Sequence, residues 1–200
     1  MKLNFDNPQE LKKQINDLQP ATGVCIFIDI CGSTAIKKIN VKEWILLIGN
    51  TIIPPLSISP LFKENVLKLI GDEIMIFIPD DEITGANESY ATVLDLLKAC
   101  ISKNPPNIQD ISLRLKAAIH YCVNSYNISY NENNDYYGID IDLTARLMKK
   151  AEENKIVLSE TFFQKVNYIE PSFLSECTKR RWGKFKGIGN RFFRLLTADN

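Results

Sequence analysis

Residues 66–78 read Val66-Leu67-Lys68-Leu69-Ile70-Gly71-Asp72-Glu73-Ile74-Met75-Ile76-Phe77-Ile78. Two apolar, branched runs flank a Gly-Asp pair of the type that closes a two-residue β-hairpin with positive φ at its first corner. The stretch therefore predicts an antiparallel hairpin with Asp72 near its tip. Upstream, Val24-Cys25-Ile26-Phe27-Ile28-Asp29-Ile30 is short, apolar and rich in branched residues, which marks a buried strand, and it stops at Cys31-Gly32-Ser33-Thr34. Before it, Asn7 as N-cap, Pro8 at the first helical position and Glu10 as N3 partner open a short amphipathic helix carrying Leu11, Ile15 and Leu18, ended by Pro20. Between the two strand regions, residues 41–53 read as a helix that Pro54-Pro55 forces to exit.

Beyond the hairpin the pattern predicts a helix over 86–102 that Pro105-Pro106 break, then a long strand from Leu113 to Val123 with Ser125 to Tyr130 as its expected partner. The polar run Asn131 to Asp135 reads as a loop. A helix over about 139–153 follows, with Ile141, Ala145, Met148 and Ala151 on one stripe, then a short strand at Ile156-Val157-Leu158 and a last one around Phe192 to Leu196. This order predicts a single α/β (α+β) sandwich, a mostly antiparallel sheet with helices packed on one face.

Composition narrows the function classes. The chain has 200 residues, 24 Lys+Arg against 24 Asp+Glu, and is 45% hydrophobic, so it has the size of one domain and neither a disordered composition nor a broad nucleic-acid footprint. The basic run Lys179 to Lys186 accordingly reads as a solvated face. The longest apolar runs, such as Trp44 to Ile48, are far short of the roughly 20 residues of a membrane span. No apolar signal segment follows Met1, so no membrane partner and a cytoplasmic location are expected. Five cysteines without a C-x-x-C pair predict reduced, mostly buried thiols, and the single His120 in an apolar strand reads as a structural residue.

Two carboxylates stand out by position. Asp29 ends the first strand and Asp72 tips the hairpin; if those strands are neighbours, both reach one sheet edge, where hard oxygen ligands hold Mg²⁺ with the help of substrate phosphates. Gly32-Ser33-Thr34, leading into a helix, offers backbone N–H groups to the same phosphates.

Three segments then match a family in order and spacing: Phe27-Ile28-Asp29-Ile30-Cys31-Gly32-Ser33-Thr34, Lys68-Leu69-Ile70-Gly71-Asp72, and Asp135-Tyr136-Tyr137-Gly138-Ile139-Asp140-Ile141-Asp142-Leu143-Thr144-Ala145-Arg146. Lys155 to Ser159 and Phe185-Lys186-Gly187 fit as well. Together they resemble the catalytic domain of class III nucleotidyl cyclases over about residues 23–196, with its ferredoxin-like sheet; residues 1–20 become an N-terminal extension and 21–200 the catalytic domain. The resemblance implies a homodimer with two active sites at its interface. It implies that Asp29, Ile30 and Asp72 of one protomer hold two divalent ions, Mg²⁺ or Mn²⁺, and that Arg146 of the other protomer serves as the transition-state arginine. Lys186 falls on a position that contacts terminal phosphates. Without the motif, Asp142 and Arg146 would read as a plain i,i+4 ion pair. Asp142 also departs from the family's asparagine; a carboxylate only accepts hydrogen bonds, so ribose or base contacts must differ, or Asp142 locks Arg146 in its pose.

Lys68 and Asp135 fall on the family's two base-recognition positions and form its adenylate-type pair. One donor and one acceptor, however, match adenine N1 and N6, cytosine N3 and N4, or uracil O4 and N3 alike. The compact format, Gly32-Ser33-Thr34 and Ile141 to Arg146 resemble the bacterial pyrimidine cyclases of antiphage defence, which make cyclic UMP or cyclic CMP for a separate effector. An adenylate cyclase and an inactive nucleotide-binding dimer are the alternatives, with guanylate activity last. Trp44 and Phe62, near the motifs in sequence, are expected beside the base.

Overall fold

A computed structural model describes residues 3–198 apart from 5, 87, 104–112, 131–132 and 170–178. The elements run α1 (Pro8–Asn16), β1 (Ala21–Cys31), α2 (Ser33–Ile39), α3 (Val41–Leu56), α4 (Pro60–Glu64), β2 (Val66–Ile70), β3 (Glu73–Pro79), α5 (Asp80–Gly85) and α6 (Tyr90–Ser102). They continue with β4 (Arg114–Tyr130), β5 (Asn133–Tyr137), α7 (Ile139–Met148), β6 (Lys155–Ser159), α8 (Glu160–Ile169), β7 (Arg181–Phe185) and β8 (Gly189–Thr197). The sheet order is β2-β3-β1-β4-β6-β8-β7, with β5 paired to β4 outside that row. The β4–β6 pair is parallel and the other pairings are antiparallel, as the hairpin reading predicts.

The apolar run of β1 explains the layering. Val24, Ile26, Ile28 and Ile30 point into one core, while Cys25 and Phe27 point into a second core on the opposite face. A strand covered on both faces needs no polar alternation, hence the continuous apolar segment. The larger core takes Ile36 of α2, Leu47 of α3, Phe62 of α4, Ile83 of α5, Leu94 and Leu97 of α6, and Phe162 of α8. The smaller core takes Ile141, Leu143, Leu147 and Met148 of α7. Helices thus lie on both faces, against the one-face expectation, because the stripe of α7 seals the side that β1 also leaves apolar.

Other boundaries differ for identifiable reasons. Helix α3 continues past Pro54-Pro55 to Leu56, since buried Leu47 and Leu56 hold both parts of it in the larger core. The predicted 86–102 helix begins only at Tyr90, where Ser89 and Thr92 form a reciprocal capping box; the short acidic α5 precedes it. Strand β4 does not turn back near residue 124: it runs 17 residues to Tyr130 across an irregular register step, and its hairpin partner is β5. The expected loop over 131–135 is therefore partly strand, with Asp135 facing Ile128 in register. Helix α7 ends at Met148, five residues short of the expected boundary, and α4 and α8 add to the expected set. Pro105-Pro106, placed as a helix breaker, and Cys177 lie outside the described residues; Cys25, Cys31, Cys100 and Cys122 form no disulfide among the described residues. Among the described residues no helix is long and apolar enough to cross a membrane.

Candidate active site

Asp29 sits on β1 directly opposite Lys116 of β4, and the Lys116 Nζ stands 3.1 Å from Asp29 Oδ2. Gly71, at φ 68°, makes the hairpin corner that turns Asp72 towards β1 and α2, where the buried Ser33 hydroxyl donates to the Asp72 carboxylate. The two predicted carboxylates do share one sheet edge. Burial raises the Asp29 pKa, the Lys116 ammonium works against that shift, and the neighbouring Asp72 adds to it. A third acid, Glu73, was not among the expected site residues. Burial pushes its carboxyl up to about 7, with Asp29 and Asp72 reinforcing the shift and Lys116 opposing it. Its signal in the sequence was only adjacency to Asp72.

Three crowded carboxylates and one ammonium form a net-negative, half-buried cluster in which Asp29 and Glu73 hold their charge reluctantly. A hard divalent ion on the carboxylate oxygens relieves that crowding, so the donor set fits the implied metal. The Ile30 side chain is buried in the larger core, leaving only its backbone carbonyl as a ligand. Gly32, at φ 85°, turns β1 into α2 beside this cluster, and Thr34 is exposed next to Ser33.

A cleft of about 670 Å³ lies elsewhere on the chain, lined by Lys68, Tyr136, Tyr137, Asp142, Arg146 and Gly187 among others. At its edge Lys68 Nζ pairs with Asp135 Oδ2 at 2.5 Å, and Asp135 Oδ1 accepts from the Tyr136 amide at 2.8 Å. Tyr136 stacks on Phe77, with ring centroids 3.7 Å apart, which roots this wall in the smaller core. Asp142 is exposed and Arg146 half-buried. Among the described residues no ion pair joins the two, so the plain i,i+4 reading is not realised. The Arg146 guanidinium instead stands against the β7–β8 turn, where Cβ-free Gly187 leaves it room, and exposed Lys186 precedes that glycine.

The predicted residues thus fall into two groups. Asp29, Asp72 and Ser33 gather at one sheet edge, and Lys68, Asp135, Asp142 and Arg146 gather at the cleft, whose lining includes none of the first group. Trp44 and Phe62 belong to neither: Phe62 is buried in the larger core and Trp44 packs against it, on the face of the sheet that α7 does not cover.

Helix α7 is fastened where it starts. Gly138 has φ 149°, and a Cβ there would stand 2.3 Å from the Asn124 carbonyl oxygen, so only glycine permits this approach to β4. Asp140 Oδ2 then accepts from the amides of Val123 and Asn124 at 2.8 and 2.9 Å, where the β4 register shifts. Burial alone would raise the Asp140 carboxyl, but the facing His120 ring and those two amides outweigh it and hold the pKa at about 2. Gly138→Ala is expected to cost at least ~3 kcal/mol, from the main-chain clash together with the disfavoured φ, and to lower Tm by about 6–12 °C in a thermal melt. An unchanged Tm would mean that the start of α7 is loosely held.

No family model matches the sequence, and no curated protein resembles it closely enough to align. Solved structures do resemble it. The adenylyl cyclase CyaB from P. aeruginosa superposes with a TM-score of 0.66 over 90% of this chain and 96% of its own, at 16% identity. The chain has the class III cyclase fold. The guanylyl cyclase Cya2 gives a TM-score of 0.67 over 91% of this chain and 94% of its own, at 14% identity. The guanylate cyclase domain of RhGC from Catenaria anguillulae, solved in complex with GTP, gives 0.63 over 90% and 98%, also at 14% identity. These likenesses cover about nine-tenths of the chain.

Proposed function

We propose that the chain is a nucleotidyl cyclase that converts a nucleoside triphosphate to its 3′,5′-cyclic monophosphate and pyrophosphate, with residues 21–200 as the catalytic domain and 1–20 as an extension. The observation that carries this reading is the state of Arg146: a half-buried guanidinium on a nucleotide-sized cleft, with no anionic partner among the described residues. A fixed planar cation of this kind suits charge that develops on α-phosphoryl oxygens as the 3′-oxygen attacks in line. Two divalent ions, Mg²⁺ or Mn²⁺, held by Asp29, Asp72 and the Ile30 carbonyl, would bridge the triphosphate and lower the pKa of the ribose 3′-hydroxyl.

The division of the residues into two groups favours a site completed by a second copy of the chain, Asp29 and Asp72 from one protomer facing Lys68, Asp135, Asp142 and Arg146 of the other. The amides of Gly32, Ser33 and Thr34 would then meet the β- and γ-phosphates, with Lys186 supplying charge from the β7–β8 turn. Lys68 donates and Asp135 accepts at the base edge. Asp142, exposed on the cleft and unpaired with Arg146, is free to accept from a ribose hydroxyl.

For the base we favour a pyrimidine triphosphate, UTP or CTP, on the strength of Gly32-Ser33-Thr34 and of aspartate at position 142, and a cytoplasmic role in antiphage defence in which a separate effector reads the product. The Lys68–Asp135 pair itself supports ATP as the second reading. The test incubates purified protein and Mn²⁺ with ATP, GTP, CTP or UTP and identifies products by mass spectrometry. A cyclic pyrimidine is expected. Cyclic AMP alone would assign the adenylate reading, and no product from any of the four would leave a nucleotide-binding dimer.

A further inference from the structure

Away from the cluster and the cleft, three side chains of different donor chemistry converge where α7 meets β4. His120 and Cys122, two apart on β4, face the same side of the strand, and Asp140 meets them from the first turn of α7. One ligand atom from each lies within 4.8 Å of the other two.

His120 and Asp140 are each oriented by bonds to the atom that does not converge, and the Cys122 sulfur lies beside the Cys25 and Ser125 side chains. His120 is 2% exposed, and its Nδ1 lies 3.0 Å from the Thr161 hydroxyl, which sets the ring plane. The opposite nitrogen, Nε2, is buried without a hydrogen-bond partner. Asp140 commits Oδ2 to the Val123 and Asn124 amides and turns Oδ1 to His120 Nε2 at 3.4 Å, beyond good hydrogen-bond contact. The Cys122 sulfur is buried, with the His120 carbonyl no closer than 4.0 Å. A simple His–Asp hydrogen bond would satisfy Nε2 and would not need the sulfur. Orienting side chains from behind is how proteins prepare metal ligands, and the buried His120 Nε2 is left without a hydrogen bond.

We propose that His120, Cys122 and Asp140 form a site for a zinc-class divalent cation, distinct from the acidic cluster. The mixed imidazole, thiolate and carboxylate set selects a borderline ion such as Zn²⁺, whereas Mg²⁺ prefers oxygen alone. Ligands of a tetrahedral zinc sit about 3.5 Å apart, so side-chain shifts of about 1 Å complete the site. His120 and Asp140, though not Cys122, line a cavity of about 230 Å³ together with Leu143, Leu147 and Glu160. The ion would tie β4 to the helix that carries Asp142 and Arg146. The site is argued from its own geometry and stands apart from the cyclase reading.

The test treats the full chain with chelator and dialyses it against equimolar Zn²⁺ or Co²⁺. The expected results are about one zinc retained per chain by elemental analysis, a raised Tm, and a sulfur-to-cobalt charge-transfer band in the Co²⁺ form. Cys122→Ser should abolish the band and weaken zinc binding at least tenfold. Cys31→Ser and Asp29→Asn, which alter the acidic cluster, should keep both. X-ray absorption at the zinc edge of the unmodified protein, which needs no variant to fold, should report at least one sulfur ligand. Absence of stoichiometric zinc, an all-nitrogen-and-oxygen shell, or a cobalt band that survives Cys122→Ser would overturn the proposal.

Discussion

Asp29→Asn is expected to lower kcat for cyclic-nucleotide formation by at least ~10³-fold, equivalent to ~4 kcal/mol of transition-state stabilisation. The amide keeps the shape of the side chain and an oxygen for Lys116 Nζ, which stands 3.1 Å from the carboxylate, so the fold is retained. What is lost is negative charge where the proposed metal would bind. Because burial and the neighbouring Asp72 together outweigh Lys116 and disfavour the charge on Asp29, removing that charge also relieves crowding. Tm should therefore stay within a few degrees while the rate collapses. Activity within tenfold of the parent protein at saturating Mn²⁺ would remove Asp29 from the metal set.

Arg146→Ala supplies the second large effect, a fall in kcat of about 10²–10³-fold, the range seen when one donor to a developing oxyanion is deleted. Since Arg146 has no ion pair among the described residues, its loss should leave stability nearly untouched. The sharper result comes from mixing. If each site takes Asp29 from one copy and Arg146 from the other, a heterodimer of the two variants has one site with both defects and one with neither. Random reassortment makes half of the dimers heterodimers, so two nearly inactive proteins together should recover about a quarter of parent activity. A mixture no better than its components would falsify the two-chain site and place all the residues within one copy.

The sheet was legible in the sequence wherever one local signal decided the structure. The Gly71-Asp72 corner, the apolar run of β1 and the Asn7-Pro8 helix start all form as read, because each depends on the few residues that encode it. Readings failed where tertiary packing overrode the local signal. Pro54-Pro55 did not end α3, because Leu47 and Leu56 are buried together. The Ser125 to Tyr130 segment did not fold back on the strand before it, because Gly138 and Asp140, at the start of the distant α7, brace β4 where its register shifts. The candidate site divides similarly. Asp29, Asp72, Lys68, Asp135 and Arg146 carried motif context and could be named. Lys116 and Glu73 are an ordinary lysine and glutamate in their strands, and only the cross-strand register and the hairpin tip bring their charges to Asp29.

The 2.5 Å contact between Lys68 and Asp135 changes what it means for a nucleobase to be chosen. Lys68 and Asp135 already satisfy each other, so on the proposed reading a base would enter as a rival to an existing partnership and would have to replace both halves of it. An edge that offers only an acceptor would leave the carboxylate with the Tyr136 amide alone, and one that offers only a donor would leave the part-exposed ammonium to solvent. On the proposed reading, discrimination on this wall would act against bases that match only one half of the pair, whereas adenine, cytosine and uracil match both halves, so the choice among them would fall to the size of the pocket.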